Sequence, residues 1–309
     1  MNEKFKILTL DGGGAKGIFT LGILYEIEAY LKGNLDSDLN SYFDLFYGTS
    51  TGSIIASMIN LGYDIKKIKS KYLEMLPLIM KPSRSKMRSS ELKNSLEKEF
   101  KEKKFIDFPK PIGIVATNLT KERPLIFKNS SNQASGSIDT FNPGFGCTIA
   151  EAIEASCSAY PLYFHLKNIR NEELNAELVD GGYIANNPSL FAIIDAVMAY
   201  KKDFKEIKLM NIGTGTFIDK KSFLKMMLGT FSWLTFIGNV FQANSRTSDI
   251  ILENLCNDVQ KLRIDAETTN EKLKTNLMEC DKDKLEKLFS FGRETFSKHE
   301  NEIKEFLKN

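Results

Sequence analysis

Histidine is almost missing from this chain, with only His165 and His299 among 309 residues. Any chemistry that needs an imidazole base must draw on that pair. His299 sits in a polar, Lys/Glu-rich tail, and His165 follows the aromatic, strand-like run Tyr160–Phe164, so a structural role is expected for both. Cysteine is sparse as well. Cys147, Cys157, Cys256 and Cys280 form no C-x-x-C pair and no even ladder, which argues for free thiols in a reducing compartment. No His/Cys/carboxylate cluster has ligand spacing, so neither a metal nor another cofactor is expected. Charge of one sign is lacking too. The 42 basic and 40 acidic residues leave a net charge of +2, which provides no footprint for a nucleic-acid polymer.

Internal repeats, low-complexity tracts and a clean apolar run of ~20 residues are also absent. Phe223 to Phe241, with Phe231, Trp233 and Phe236, comes nearest, but Lys225 and Asn239 interrupt it. A buried helix is expected there, with a lid or membrane-contacting element as the alternative. The N-terminus enters an apolar segment with no signal-like stretch, so a cytoplasmic protein is expected, with export lacking a cleaved signal as the alternative.

What is present is concentrated in three short motifs. Gly48-Thr49-Ser50-Thr51-Gly52 lies between an apolar run and an amphipathic one. A Gly-x-Ser-x-Gly at a strand-to-helix turn lifts a serine hydroxyl clear of a sheet, and the flanking glycines permit the tight backbone. Asp11-Gly12-Gly13-Gly14-Ala15-Lys16-Gly17 follows the alternating segment Phe5–Leu10 and precedes a helical pattern. Consecutive glycines there expose backbone N–H groups next to a helix N-terminus, which makes an anion cradle. The anion could be a pyrophosphate, because Gly12-x-Gly14-x-x-Gly17 spells the dinucleotide fingerprint. It could equally be the oxyanion of an acyl-transfer intermediate. Asp11 beside the cradle and Ser50 at the next strand tip favour the oxyanion.

The third motif is Asp180-Gly181-Gly182, followed by Asn186-Asn187-Pro188. In isolation it is an ordinary Asp-Gly turn. With so few histidines, a carboxylate must be considered as the base for Ser50, and Asp180 suits better than Asp11, which borders the cradle.

In this order the three motifs resemble the patatin-like phospholipase family. Ala155-Ser156-Cys157-Ser158-Ala159-Tyr160-Pro161, Asn186-Asn187-Pro188 and Ile212-Gly213-Thr214-Gly215 are also similar to family segments, and Lys261–Ile264 faintly resembles a C-terminal strand. The resemblance implies a lipid acyl hydrolase of phospholipase A type acting on membrane glycerophospholipids. Ser50 would be the nucleophile and Asp180 the base. Gly12, Gly13 and Gly14 would form the oxyanion hole, and Lys16 would stand where many members carry arginine. That exchange keeps the charge and loses the planar fork. Asp11, Gly17, Gly48, Gly52, Gly181 and Gly182 would support the motifs. Some bacterial members are secreted toxins or phage-defence effectors switched on by cyclic nucleotides, which leaves room for a small-molecule activator. A dinucleotide-binding protein and a non-catalytic binding module of the same family are the competing classes.

Strands are expected near 5–10, 43–47, 112–117, 124–128, 176–179 and 207–212. Helices are expected near 16–32, 51–61, 64–76, 89–103, 148–158 and 187–201, and across much of 220–308. Such alternation argues for an α/β fold, a three-layer α/β/α sandwich with a mainly parallel sheet. The resemblance relates it to the cytosolic phospholipase A2 catalytic domain. Residues 1–309 read as one domain, a core over 5–215 with a mostly helical extension over 216–309. Leu285, Leu288, Phe289, Phe296, Ile303, Phe306 and Leu307 would form the packing stripe of that extension. The lysine-rich stretch 66–90 offers a surface for peripheral membrane contact or a cap over Ser50, beside the plainer option of a solvated helix.

Overall fold

The computed structural model describes residues 4–134, 141–218 and 233–308. β1 (Phe5–Leu10) leads through the glycine loop into α1 (Gly17–Asn34). The helical turn α2 (Leu39–Tyr42) precedes β2 (Leu45–Thr49), which feeds α3 (Thr51–Asn60). A helical hairpin follows, α4 (Ile65–Met80) and α5 (Ser85–Phe100), and then β3 (Ile112–Asn118) and β4 (Arg123–Lys128). After α6 (Ile149–Ser156) come β5 (Lys167–Arg170), β6 (Asn175–Asp180), the turn α7 (Gly182–Ala185), α8 (Ser189–Met198) and β7 (Ile207–Ile212). The short pair β8 (Thr216–Phe217) and β10 (Glu267–Thr268) brackets α9 (Trp233–Leu255) and β9 (Gln260–Ile264), and α10 (Lys282–Lys298) and α11 (Glu300–Lys308) complete the chain.

The main sheet runs β5-β6-β3-β2-β1-β7-β9, with β4 also paired to β3. Its β3-β2-β1-β7-β9 section is parallel, β4 and β6 pair antiparallel with opposite edges of β3, and β5 pairs antiparallel with β6. Side-chain alternation sorts the strands between two cores. Leu8, Phe46, Ile114 and Met210 face the core built with α1, α3, α4, α6, α10 and α11. Ile7, Tyr47, Val115 and Leu209 face the opposite core, against α8 and the end of α9. The expected sandwich is therefore present, with a mixed, mainly parallel sheet.

Several boundaries move for local reasons. The second strand begins at Leu45 rather than 43, because Asp38 caps α2 through the Ser41 N–H and the chain is still helical at Tyr42. The run Tyr160–Phe164 is a turn, with the Tyr163 and Phe164 N–H groups both bonded to Ala159 O. The next strand, β5, is polar and went unanticipated because it lies at the sheet edge. The helices expected across much of 220–308 are present as α9, α10 and α11, and the Lys261–Ile264 segment that resembled a strand lies in β9 between them. Leu262 and Ile264 are buried where β9 pairs with β7, and β10 pairs with β8. Most of the apolar stretch from 223 lies outside the described residues; its end belongs to α9. Among the described residues, no helix is long and apolar enough to cross a membrane. The C-terminal stripe is buried as expected, and α10 packs on α1 with the Phe19 and Phe291 rings 5.3 Å apart.

Candidate active site

Ser50 has φ +51° and ψ −124°, in the left-handed region a side chain rarely occupies. Close backbone packing enforces it. A Cβ on Gly48 would lie 2.5 Å from the Gly52 backbone, and one on Gly52 would lie 2.2 Å from Leu10 O. The Ser50 N–H donates to Ser156 Oγ at 2.8 Å, and Ser156 Oγ donates to Val115 O at 2.5 Å. The elbow is thus tied to β3 through a residue of the Ala155–Pro161 segment, whose positioning role the sequence motif alone did not disclose.

Asp180 reaches the elbow from the other direction. β4 lines one edge of β3 from Gly113 to Asn118. The opposite edge is shared, with β2 paired to residues 112–115 and β6 to residues 116–118. The two strands run in opposite senses and end at neighbouring registers, Thr49 with Val115 and Asp180 with Ala116. A Cβ at Gly181 would lie 2.2 Å from Val115 O, so only glycine lets the chain leave this junction.

Ser50 Oγ donates to Asp180 Oδ2 at 2.7 Å. The Gly182 N–H donates to Asp180 Oδ1 at 2.8 Å, which holds the carboxylate plane. The Asp180 and Gly181 N–H groups bond to Ser158 O and Ser156 O, so the same segment anchors both members of the pair. Burial raises the Asp180 carboxyl to about 7, against the lowering effect of the Gly182 and Ser50 hydrogen bonds. A carboxylate so raised is a competent base near neutral pH.

The glycine loop lies beside this pair, though not all of it is available. The Gly12 N–H is bonded to Asn186 O and the Ala15 N–H to Leu277 O. The Gly13 and Gly14 N–H groups have no acceptor among the described residues, and both glycines line the cavity that contains Ser50 and Asp180. Thr51 Oγ1 and the buried Tyr72 hydroxyl both donate to Gly14 O, which fixes the tilt of the loop. The Lys16 ammonium turns away and donates to Gly215 O at 3.2 Å, so it braces the loop rather than lining the cavity. Gly17 opens α1 against Thr51 and Tyr72.

Asp11 is engaged elsewhere. Its carboxylate accepts from Asn211 Nδ2 at 2.8 Å, Ser245 Oγ at 2.8 Å and Arg263 Nη2 at 3.0 Å. Arg263 also meets Asp249 and Asp265 at 3.0 Å each, so β9 and α9 anchor the base of the glycine loop. Burial raises the Asp11 carboxyl, with Arg263 opposing it. Neither histidine lines the cavity. His165 is exposed, with its backbone N–H on Ser89 Oγ, and His299 is half-buried beside Glu302.

Ile54, Met75, Leu76, Ile79, Leu92 and Phe241 make the cavity strongly apolar, suited to an acyl chain. At ≈50 Å³ it is narrow against the ~300–1,000 Å³ of an ordinary small-molecule site. Among the described residues no group of three or more His, Cys, Asp or Glu could hold a metal ion. A serine hydroxyl bonded to a raised carboxylate, with two N–H groups that lack an acceptor among the described residues beside an apolar slot, fits ester hydrolysis.

Comparison with known proteins agrees. A family model described as patatin-like phospholipase matches residues 8–193. The chain is 42% identical over 304 residues to a cUMP-AMP-activated phospholipase of Escherichia coli, covering 98% of this chain and 93% of the relative. It is 31% identical over 231 residues to a cGAMP-activated phospholipase of Escherichia coli strain TW11681, covering 68% of this chain and 62% of that one. The crystal structure of VipD from Legionella pneumophila superposes with a TM-score of 0.51 at 16% identity, covering 99% of this chain and 67% of VipD, and so shares the fold.

Proposed function

The chain belongs to the patatin-like phospholipase family and is a lipid acyl hydrolase, and on that footing we propose that Ser50 and Asp180 perform the reaction under the control of a cyclic dinucleotide. The observation that carries the dyad is the 2.7 Å hydrogen bond from Ser50 Oγ to Asp180 Oδ2, in a cavity that no histidine lines. As Ser50 Oγ attacks the ester carbonyl, Asp180 Oδ2 takes the hydroxyl proton. The carbonyl oxygen becomes an oxyanion held by the Gly13 and Gly14 N–H groups. Collapse breaks the ester C–O bond, and the departing alcohol takes the proton from Asp180. Water then attacks the acyl-enzyme with Asp180 again as base, releasing the fatty acid and restoring Ser50.

Two observations support control by a nucleotide. The relatives at 42% and 31% identity are described as activated by cUMP-AMP and cGAMP. The slot beside Ser50 is narrow, which leaves room for an activator to act by widening it. The dinucleotide-cofactor alternative is set aside on steric grounds. The Leu277 oxygen takes the Ala15 N–H in the glycine loop, where a pyrophosphate would bind, and lies 2.4 Å from a Cβ placed on Gly14.

Lipid mass spectrometry of bacterial membrane lipids incubated with the wild type and Ser50→Ala, with and without cUMP-AMP, tests the proposal. Free fatty acid and lysophospholipid should accumulate only with the wild type, and far faster with nucleotide. Release by Ser50→Ala at the wild-type rate would refute the dyad, and nucleotide-independent release would refute the control.

A further inference from the structure

The loop joining α4 to α5 has a composition that the reaction does not explain. Between Met75 and Ser90 there is no acidic residue, while Lys81, Arg84, Lys86 and Arg88 are basic. Arg88 is committed internally. Its guanidinium donates to the carbonyls of Pro82 and Ser83 on its own loop and to Leu162 and Tyr163 on the neighbouring turn. One side chain thus binds two loops into a single fixed rim. Lys81, Arg84 and Lys86 are exposed and have no ionic partner among the described residues. Beside them Leu78 is 51% exposed and Met87 53%, large apolar groups that the fold leaves in water.

This rim adjoins the acyl slot. Ile79 and Met80, on the same helical turn as Leu78, line the cavity, as do Tyr163 and Phe164 beyond the Arg88 clamp. We propose that the α4–α5 tip is the surface by which the protein seats on an anionic phospholipid bilayer, a proposal that rests on the acyl-hydrolase reading. The three cations meet lipid phosphates while Leu78 and Met87 enter the boundary between headgroups and acyl chains. Seating there sets Ile79 and Met80 at the lipid surface, so an acyl chain can pass to Ser50 without crossing bulk water. Acidic residues are kept out because one carboxylate on the rim would oppose each contact.

The test uses the full chain carrying Ser50→Ala, to prevent vesicle breakdown, and flotation with phosphatidylglycerol or phosphatidylcholine vesicles. Lys81→Glu/Arg84→Glu/Lys86→Glu should weaken binding to phosphatidylglycerol by about a hundredfold or more, roughly fivefold per cation removed. Leu78→Ser/Met87→Ser should weaken it while leaving its salt dependence intact. The control is Lys101→Glu/Lys103→Glu/Lys104→Glu, exposed lysines just past the far end of α5, which should change binding less than threefold. In the active background with cUMP-AMP, the rim variant should hydrolyse a monomeric short-chain nitrophenyl ester at the wild-type rate. Equal losses in the rim and control variants, or equal binding to both lipids, would overturn the docking surface. So would loss of monomeric hydrolysis in a rim variant that melts like the wild type. A wild type that binds vesicles yet hydrolyses no ester would instead remove the underlying function.

Discussion

Thr49 and Asp180 close two strands that run toward each other along one edge of β3, opposite the adjacent residues Val115 and Ala116. The serine that follows Thr49 therefore meets the carboxylate of Asp180 end to end. In a wholly parallel sheet Asp180 would have to approach from a neighbouring strand tip. Here its distance to Ser50 is set by backbone register, the stiffest ruler a fold possesses.

Asp180→Asn removes the proposed base while keeping the side chain's shape. Hydrolysis should fall by roughly 10³–10⁶, as for other units of nucleophile and base. His165→Ala should retain most of the rate, because that side chain is exposed and lines no part of the cavity. Steady-state hydrolysis of a short-chain ester by the purified variants decides between them. A His165→Ala loss as large as that of Asp180→Asn, in a folded protein, would defeat the dyad.

The Asp180 carboxyl, raised to about 7, must be ionised to accept the Ser50 proton. The kcat/KM for a soluble ester should therefore rise with pH, reach half its plateau near pH 7, and stand near ~1% of plateau at pH 5. A flat profile between pH 5 and 8 would mean another base.

The same burial predicts a cost in stability. The carboxyl rises from 3.8 to about 7 on folding, so ionised Asp180 is disfavoured in the native state. The protein is free of this cost below pH ~4, acquires it between pH ~4 and 7, and carries it in full above 7, at a few kcal/mol. Asp180→Asn should consequently melt higher than wild type at pH 8, with the advantage shrinking toward pH 4. Chemical denaturation across that range measures the slope.

Tyr72 and Thr51 both donate to Gly14 O and should act as positioning residues for the Gly14 N–H. Tyr72→Phe and Thr51→Val should each lower kcat about tenfold with little change in KM. Inhibition by a ketone that forms a tetrahedral adduct should weaken in parallel, while binding of the matching alcohol should not. A loss of one such hydrogen bond is worth ~0.5–1.5 kcal/mol, below the ~3 kcal/mol of a lost oxyanion donor.

The crossing of α1 and α10 tests whether the C-terminal helices are integral. A Cβ on Gly292 would lie 2.2 Å from Phe19 O, whereas one on Gly33 meets nothing within 4 Å. Gly33→Ala should gain ~0.5–1 kcal/mol from helix propensity, and Gly292→Ala should lose ~1–3 kcal/mol to overpacking despite the same gain. Separate melting of the C-terminal segment would contradict a single cooperative unit.

The local chemistry was legible from the residues alone. Gly48–Gly52 read as a tight elbow, the triple glycine as a donor-rich cradle for a pyrophosphate or an oxyanion, and a chain with two histidines pointed to a carboxylate base. Strand and helix order followed from periodicity, because side-chain alternation is a local property of the backbone. Contacts between remote segments were not legible, since the physics that decides them operates only once the sheet has formed. That Gly12 gives its N–H to Asn186, while the Gly13 and Gly14 N–H groups have no acceptor among the described residues, depends on a contact between positions 174 residues apart in the chain. That Lys16 braces Gly215, Ser156 holds the Ser50 backbone and β6 confronts β2 follows from register and packing across a three-layer core. Sequence determined which groups could react; tertiary structure decided which were left free to do so, because a hydrogen-bond donor is available only when nothing nearby has already claimed it.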